Sequence, residues 1–317
     1  MARYEVYGIG VESEVPLDAD RLRPGRAVEV SVRLRGAGEV PERVPPGRLI
    51  ARLGPDDRSG YAIVEDEQGY LYRFLGLADY RLSPGLDEVT VMVDRRWDGE
   101  WAAILLSGNV LGALVWLQGI TILHASAVEL DGRAIALVGG SGSGKTTLAA
   151  LLCAHGARLV TDDALRFATT RSRVRCWTGP GPLRLRNVPA VLLDAGLRPT
   201  GVSADERTVI DTPRTRRRKL DLAAFVVPKL TREAEMIEVT QLGTHRGLLE
   251  LIRFPRILGW EAAEPSRQFL VDLAAAVERV PVVELVVPWR LAIDADLAGE
   301  LANAVSALAD GTGSIAR

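Results

Sequence analysis

At 317 residues the chain is long enough for one large or two modest domains with ample core. Its 47% hydrophobic and 25% charged content is ordinary for globular proteins, and a net charge of −2 excludes a general attraction to nucleic acid or anionic membrane. Two cysteines, Cys153 and Cys176, exclude a disulfide framework and fit a reducing, cytoplasmic setting. The opening Met1-Ala2-Arg3-Tyr4-Glu5 carries no apolar signal-peptide core. The longest apolar run, 110–123, is interrupted by Gly112, Gln118 and Gly119 and is expected to be too short and broken for a membrane span.

Residues 1–100 read as a mostly β N-terminal domain, with substrate recognition as its expected task. Residues 4–9, 27–34, 70–75 and 88–93 alternate or are rich in β-formers, and Pro- and Gly-rich segments such as 40–47 separate them. Residues 102–123 are predicted helical and lead into a second domain assigned to 101–317.

From His124 the pattern becomes α/β. Residues 128–130 and 135–138 flank Asp131-Gly132, a two-residue turn signal, which predicts a hairpin. Its second strand runs into Gly139-Gly140-Ser141-Gly142-Ser143-Gly144-Lys145-Thr146-Thr147. A helix-forming stretch continues to His155 and stops at Gly156. Strands are predicted at 165–167 and 174–177, helices at 245–258 and 265–277, a strand at 280–287 and a last helix at 295–308.

The glycine stretch fits G-x-x-x-x-G-K-[ST], the phosphate-binding loop. Gly139, Gly140, Gly142 and Gly144 let backbone N–H groups turn around phosphate oxygens, with Ser141, Ser143 and Thr147 completing the ATP-binding set. Lys145 supplies a mobile positive charge, Thr146 offers a hydroxyl to Mg²⁺, and the helix N-terminus adds its positive end. One helix later, Asp162-Asp163 close a β-rich run. Phosphoryl transfer needs a phosphate cradle, a bridging metal and an acceptor for the hydroxyl proton, and the two aspartates are candidates for the last two tasks. Adjacent side chains on a strand point to opposite faces, so both reach one site only where the alternation breaks at the strand's end. His124, just before the hairpin, is the third candidate.

The run from His124-Ala125-Ser126-Ala127-Val128 through Asp162-Asp163 resembles the catalytic core of the bacterial HPr kinase/phosphorylase family. These are serine kinases whose core is related to phosphoenolpyruvate carboxykinase. The family's spacing from histidine to loop lysine to aspartate pair holds here without a gap. The resemblance implies a P-loop-containing α/β C-terminal core beside a smaller, mostly β N-terminal domain. It also implies that Asp162 is general base toward a serine hydroxyl, that His124 is an active-site residue near it, and that Lys145 acts on the phosphates. Small HPr-kinase-like proteins that occur beside genes for ribosomal peptides, lasso peptides among them, are similar over the whole length. They share the Tyr7-Gly8 opening, Gly181-Pro182-Leu183-Arg184-Leu185, the basic cluster before Leu220, and Val280-Pro281-Val282. Members of known activity phosphorylate a serine of a precursor peptide.

The second signature of true HPr kinases, close to Leu-Glu-Ile-Arg-Gly-Leu-Gly-Ile-Ile, is missing, so HPr as substrate and a reverse phosphorylase activity are not implied. Its acidic metal ligand is missing too, which leaves Asp163 with Thr146 as the expected Mg²⁺ holders. Five of the six residues 214–219 are basic. Arg217, Arg218 and Lys219, with Arg184, are candidate contacts for phosphate or an acidic peptide. A solvated loop is the alternative, and a short basic run without interleaved aromatics does not indicate nucleic acid. The expected activity is an ATP- and Mg²⁺-dependent kinase acting on a serine or threonine of a peptide or small protein. A small-molecule hydroxyl kinase and a nucleotide-gated scaffold without transfer are the alternatives, and a homo-oligomer is compatible with each. An ABC-type ATPase is disfavoured, because no Leu-Ser-Gly-Gly-Gln-like segment occurs.

Overall fold

The structure, a computed structural model, describes residues 1–54, 60–97, 99–261, 263–288 and 295–310. The protein is mixed α/β with two large sheets. It divides into unit 1, Met1–Ile120 with Arg256–Phe269, and unit 2, Thr121–Pro255 with Leu270–Arg317.

Unit 1 is built on nine strands: β1 (Ala2–Val6), β2 (Ile9–Ser13), β3 (Asp20–Arg21), β4 (Val30–Gly38), β5 (Arg48–Leu53), β6 (Tyr61–Asp66), β7 (Gly69–Phe74), β8 (Ala78–Leu82) and β9 (Glu88–Asp94). They form one sheet in the order β3-β1-β2-β4-β9-β8-β7-β6-β5. The single strand expected over 4–9 is instead a hairpin. Tyr7 at φ 53° and Gly8 at φ 75° both take positive φ, the backbone of a tight primed turn. Period-2 burial is clear in β9, where Val89, Val91 and Val93 face inward. An aromatic core of Tyr61, Tyr72, Phe74 and Tyr80 fills one part of the unit, with Tyr72 and Phe74 stacked at 4.6 Å between centroids.

Two helices close unit 1, α1 (Gly99–Leu105) and α2 (Leu111–Leu117), joined by a π-helical turn at Leu106–Val110. The boundary therefore falls after Ile120 rather than at residue 100. The reason is packing: Tyr80 donates its hydroxyl hydrogen to Ala102 O at 3.0 Å and Tyr7 to Ser107 O at 3.2 Å. Within this 19-residue stretch an 18-residue window has a mean hydropathy of 1.5, enough by length and composition to cross a membrane, and 61% of that window is buried within the protein. The stretch starts at Gly99 and stops at Leu117, whereas the sequence predicts helix over 102–123, and Gly112 lies within α2 rather than breaking it. Residues 256–269 also belong to unit 1, where Arg52 N–H donates to Gly259 O at 2.9 Å.

Unit 2 carries β10 (Ile122–Leu123), β11 (Ala125–Leu130), β12 (Arg133–Val138), α3 (Lys145–Ala154), β13 (Arg158–Thr161), β14 (Leu165–Thr169), β15 (Val174–Trp177), β16 (Leu183–Leu185), α4 (Ala190–Asp194), β17 (Arg198–Val202), β18 (Thr208–Asp211), β19 (Lys219–Thr231), β20 (Glu238–Leu242) and α5 (Thr244–Leu251). After α6 (Ala263–Val277), which begins in unit 1, come β21 (Val282–Pro288) and α7 (Ala295–Asp310). The predicted hairpin is present: β11 and β12 pair antiparallel about Asp131-Gly132. β12 pairs parallel with β19, and β19 parallel with β21. The helix predicted over 245–258 ends at Leu251, after which Phe254 N–H bonds back to Leu251 O. Apolar side chains of α3 (Leu148, Leu151, Leu152) pack with Ile135, Leu137, Leu183, Ile210, Leu285 and Leu301 in one buried cluster.

Candidate functional site

The site of unit 2 lies where β12 ends. Val138 leads into the glycine loop, and α3 starts at Lys145 behind Gly144, which sits at φ 84° as its N-cap. A side chain at 144 would need this left-handed backbone and would stand 2.8 Å from Leu230 Cδ1. A Cβ at Gly139 would stand 2.6 Å from Ser143 Oγ. Lys145 is buried and its ammonium donates to Gly140 O at 2.8 Å, inside the loop that its charge serves. Ser143 Oγ is buried with no hydrogen-bond partner among the described residues. Ser141 and Gly142 are exposed, while Gly140 and Thr147 are half-buried.

β13 delivers the aspartates. Its alternation ends at Thr161, whose hydroxyl donates to Ala164 O at 2.7 Å, and Ala164 N–H turns back to Asp162 O at 2.9 Å. Asp163 is held at φ 70°, an uncommon backbone for a residue with a side chain and one that collects at functional sites. The tight turn sends the adjacent carboxylates to separate partners. Asp162 accepts from Thr146 Oγ1 at 3.2 Å and, in a very short hydrogen bond, from Ser126 Oγ. Asp163 Oδ1 lies 3.1 Å from His124 Nε2. His124 is anchored by its own backbone, its N–H donating to Phe254 O at 2.9 Å.

Burial of the Asp162 carboxyl raises its pKa, and the neighbouring Asp163 adds to the rise. The Ser126 hydrogen bond, the Arg184 charge and the Thr146 hydrogen bond oppose it. Arg184, on β16, lies 3.7 Å from the Asp205 carboxylate, and its Nη1 is buried without a hydrogen bond among the described residues. Of the basic candidates it is the one whose charge reaches Asp162.

The loop thus gathers Lys145, Thr146, Asp162, Asp163 and His124 as expected from sequence, but the pairing differs. Thr146 meets Asp162 rather than Asp163. The basic run goes elsewhere: Arg217 pairs with Glu129 at 3.1 Å, and Lys219 stacks its ammonium on the Trp177 ring at 4.1 Å. Both line a cavity with Arg133, at the opposite end of β12 from the loop. Six residues of strand at about 3.3 Å each put roughly 20 Å between the two places. Arg218 accepts the Thr178 N–H at its carbonyl, in the same stretch.

Sequence reasoning passed over Ser126, although it lies two positions after His124, where strand alternation returns a side chain to the same face. Leu230 and Phe254 carried no signal, because chain segments distant in sequence bring them to the loop. A triphosphate fits what is present: a lysine buried in a glycine loop, an unpartnered Ser143 hydroxyl and a helix N-terminus. No group of three or more His, Cys, Asp or Glu side chains placed to hold a metal occurs among the described residues. Mg²⁺ suits such a site, since it is commonly held by one or two carboxylates together with phosphates and water.

No protein-family model matches the chain. No curated protein matches it. Among solved structures it is similar to the Hpr(Ser) kinase/phosphatase from Coxiella burnetii, at 11% identity and a TM-score of 0.30, over 60% of this chain and 95% of that one. So loose an overlap transfers neither fold nor activity.

Proposed function

We propose that this protein is an ATP- and Mg²⁺-dependent phosphotransferase acting on a hydroxyl, with a serine or threonine of a peptide or small protein, such as a ribosomal-peptide precursor, as acceptor. The observation that carries the reading is the Asp162 carboxyl seated on the Thr146 hydroxyl at the head of the glycine-loop helix. A carboxylate with a raised pKa, within reach of the phosphate cradle, is the equipment of a proton acceptor in phosphoryl transfer.

The loop N–H groups, Ser143 and Lys145 hold the phosphates and stabilise the charge that spreads over the transferring group. Thr146 and Asp163 would hold Mg²⁺, which when bound neutralises phosphate charge. The acceptor oxygen bonds to the γ-phosphorus, and the bond from that phosphorus to the bridging oxygen breaks. ADP leaves with the electron pair, and Asp162 takes the hydroxyl proton. Ser126 orients the Asp162 carboxyl, and His124 orients Asp163.

The contact between Thr146 and Asp162 favours a second division of labour, in which Asp162 serves the metal and Asp163, oriented by His124, accepts the proton. Transfer of γ-labelled phosphate to host-lysate components, compared in wild type, Asp162→Asn and Asp163→Asn at rising Mg²⁺, separates the two. Transfer lost in Asp162→Asn at every Mg²⁺ concentration, with nucleotide binding kept, supports Asp162 as base. Transfer recovered at high Mg²⁺ assigns it to the metal. Wild type that binds ATP and transfers nothing overturns the peptide-kinase reading in favour of a nucleotide-gated scaffold or a small-molecule acceptor.

A further inference from the structure

The basic run that does not reach the glycine loop builds a place of its own. A cavity of about 330 Å³ opens at the start of β12 and β19, lined by Gly132, Arg133, Arg175, Arg217, Lys219 and Asp221 together with Leu220. Four cations and one carboxylate face one space. The carboxylate is already neutralised, since Asp221 receives Arg175 Nε at 2.9 Å and Arg173 Nη1 at 2.8 Å. Arg217 commits Nε to Glu129 and Arg133 commits Nη1 to Ala309 O at 2.8 Å, in the last turn of α7. A guanidinium has five N–H donors, so each retains most of its donors for a ligand.

The geometry that brings these cations together is fixed by the fold. The β11–β12 turn holds Gly132 at φ 79°, and the Arg217 Nη2 lies 3.6 Å from where a Cβ of residue 132 would stand. Pairing of β15 with β19 sets Arg175 opposite Asp221 and Trp177 opposite Lys219. Arg166 stands over the same Trp177 ring at 4.2 Å, which concentrates positive charge further. Burial depresses the pKa of Lys219, with Arg175 and Arg166 adding to the fall and Asp221 opposing it.

We propose that this cavity is a second anion site that binds a phosphate dianion, free or as a monoester on a small molecule. It is separate from the glycine loop and independent of the proposed activity. Guanidinium forks match the tetrahedral oxygens of phosphate, and a point-charge ammonium beside them adds to the attraction. The volume is at the lower end of the range for small-molecule sites, which favours a compact ligand over an extended chain.

The test is calorimetric titration of inorganic phosphate, and separately of glycerol 2-phosphate, into the full-length protein saturated with Mg²⁺ and a non-hydrolysable ATP analogue, at ionic strength held constant with chloride. The expected result is one saturable anion per chain, weakened at least tenfold in Arg217→Gln and in Lys219→Gln, with nucleotide affinity unchanged. Arg217 is largely exposed, so its substitution leaves folding intact, and circular dichroism checks this. Tighter binding of the ester identifies an organic phosphate as the ligand, and equal affinities identify the free ion. If the chain binds no nucleotide, the same titration in Lys145→Ala reads this cavity alone. Absence of saturable binding, or binding untouched by both substitutions, overturns the proposal.

Discussion

Asp162 carries the most consequence of any single residue. Its raised pKa means that the folded state prefers the protonated carboxyl, so ionising it costs stability. The cost is absent below the ordinary carboxylate range and fully present above the raised value. Asp162→Asn removes it while keeping an acceptor for Ser126 and Thr146. The substitution is therefore expected to lower transfer by about 10²–10⁴-fold and to raise the melting temperature near pH 7. That gain should disappear in acid, as melts of both proteins from pH 3 to 8 without nucleotide would show. Asp94 has the opposite sign. Its carboxylate accepts Arg96 Nε at 2.8 Å and Val40 N–H at 2.8 Å, which hold its pKa well below the ordinary range. Asp94→Asn should cost about 1–3 kcal/mol at neutral pH by leaving the buried Val40 N–H poorly paired. In urea melts the deficit should shrink only in strong acid, where the wild-type carboxylate is lost as well.

Among the elements, the junction of β12, loop and α3 is the most demanding. Gly144 takes φ 84° because α3 must start there with its N–H groups turned toward the loop. Gly144→Ala should cost about 1–2 kcal/mol from the left-handed backbone alone, and nucleotide affinity should fall in a direct titration. Unchanged affinity would show that the loop tolerates another path. The strand–loop–helix order, the Asp131-Gly132 hairpin and the last helix were all legible in the sequence, because each rests on local chemistry: turn residues, helix formers and period-2 burial. The Tyr7-Gly8 turn was not. The flanking residues read as one alternating strand, and the positive φ of Tyr7 comes from pairing β1 with β2.

For the whole molecule, the proposed nucleotide binding supplies a test. A ligand that binds the folded state alone stabilises it by about 2.7 kcal/mol at a hundred times its dissociation constant. Mg²⁺ and a non-hydrolysable ATP analogue should therefore raise the unfolding temperature. Amide-exchange protection should concentrate in unit 2 at residues 139–147 and 158–164, and Lys145→Ala should abolish both effects. Protection spread evenly over unit 1 would contradict the placement of the site. The sequence determined the glycine loop, the lysine, the aspartate pair and the histidine, since contiguous motifs carry their own spacing. It also marked the basic run as unusual. Which aspartate meets Thr146, that Ser126 joins them, and that Arg217 and Lys219 face a cavity at the far end of β12 were settled by tertiary structure. Those facts depend on a turn that breaks strand alternation and on the register of β19 against β12 and β15, long-range pairings that no local pattern encodes.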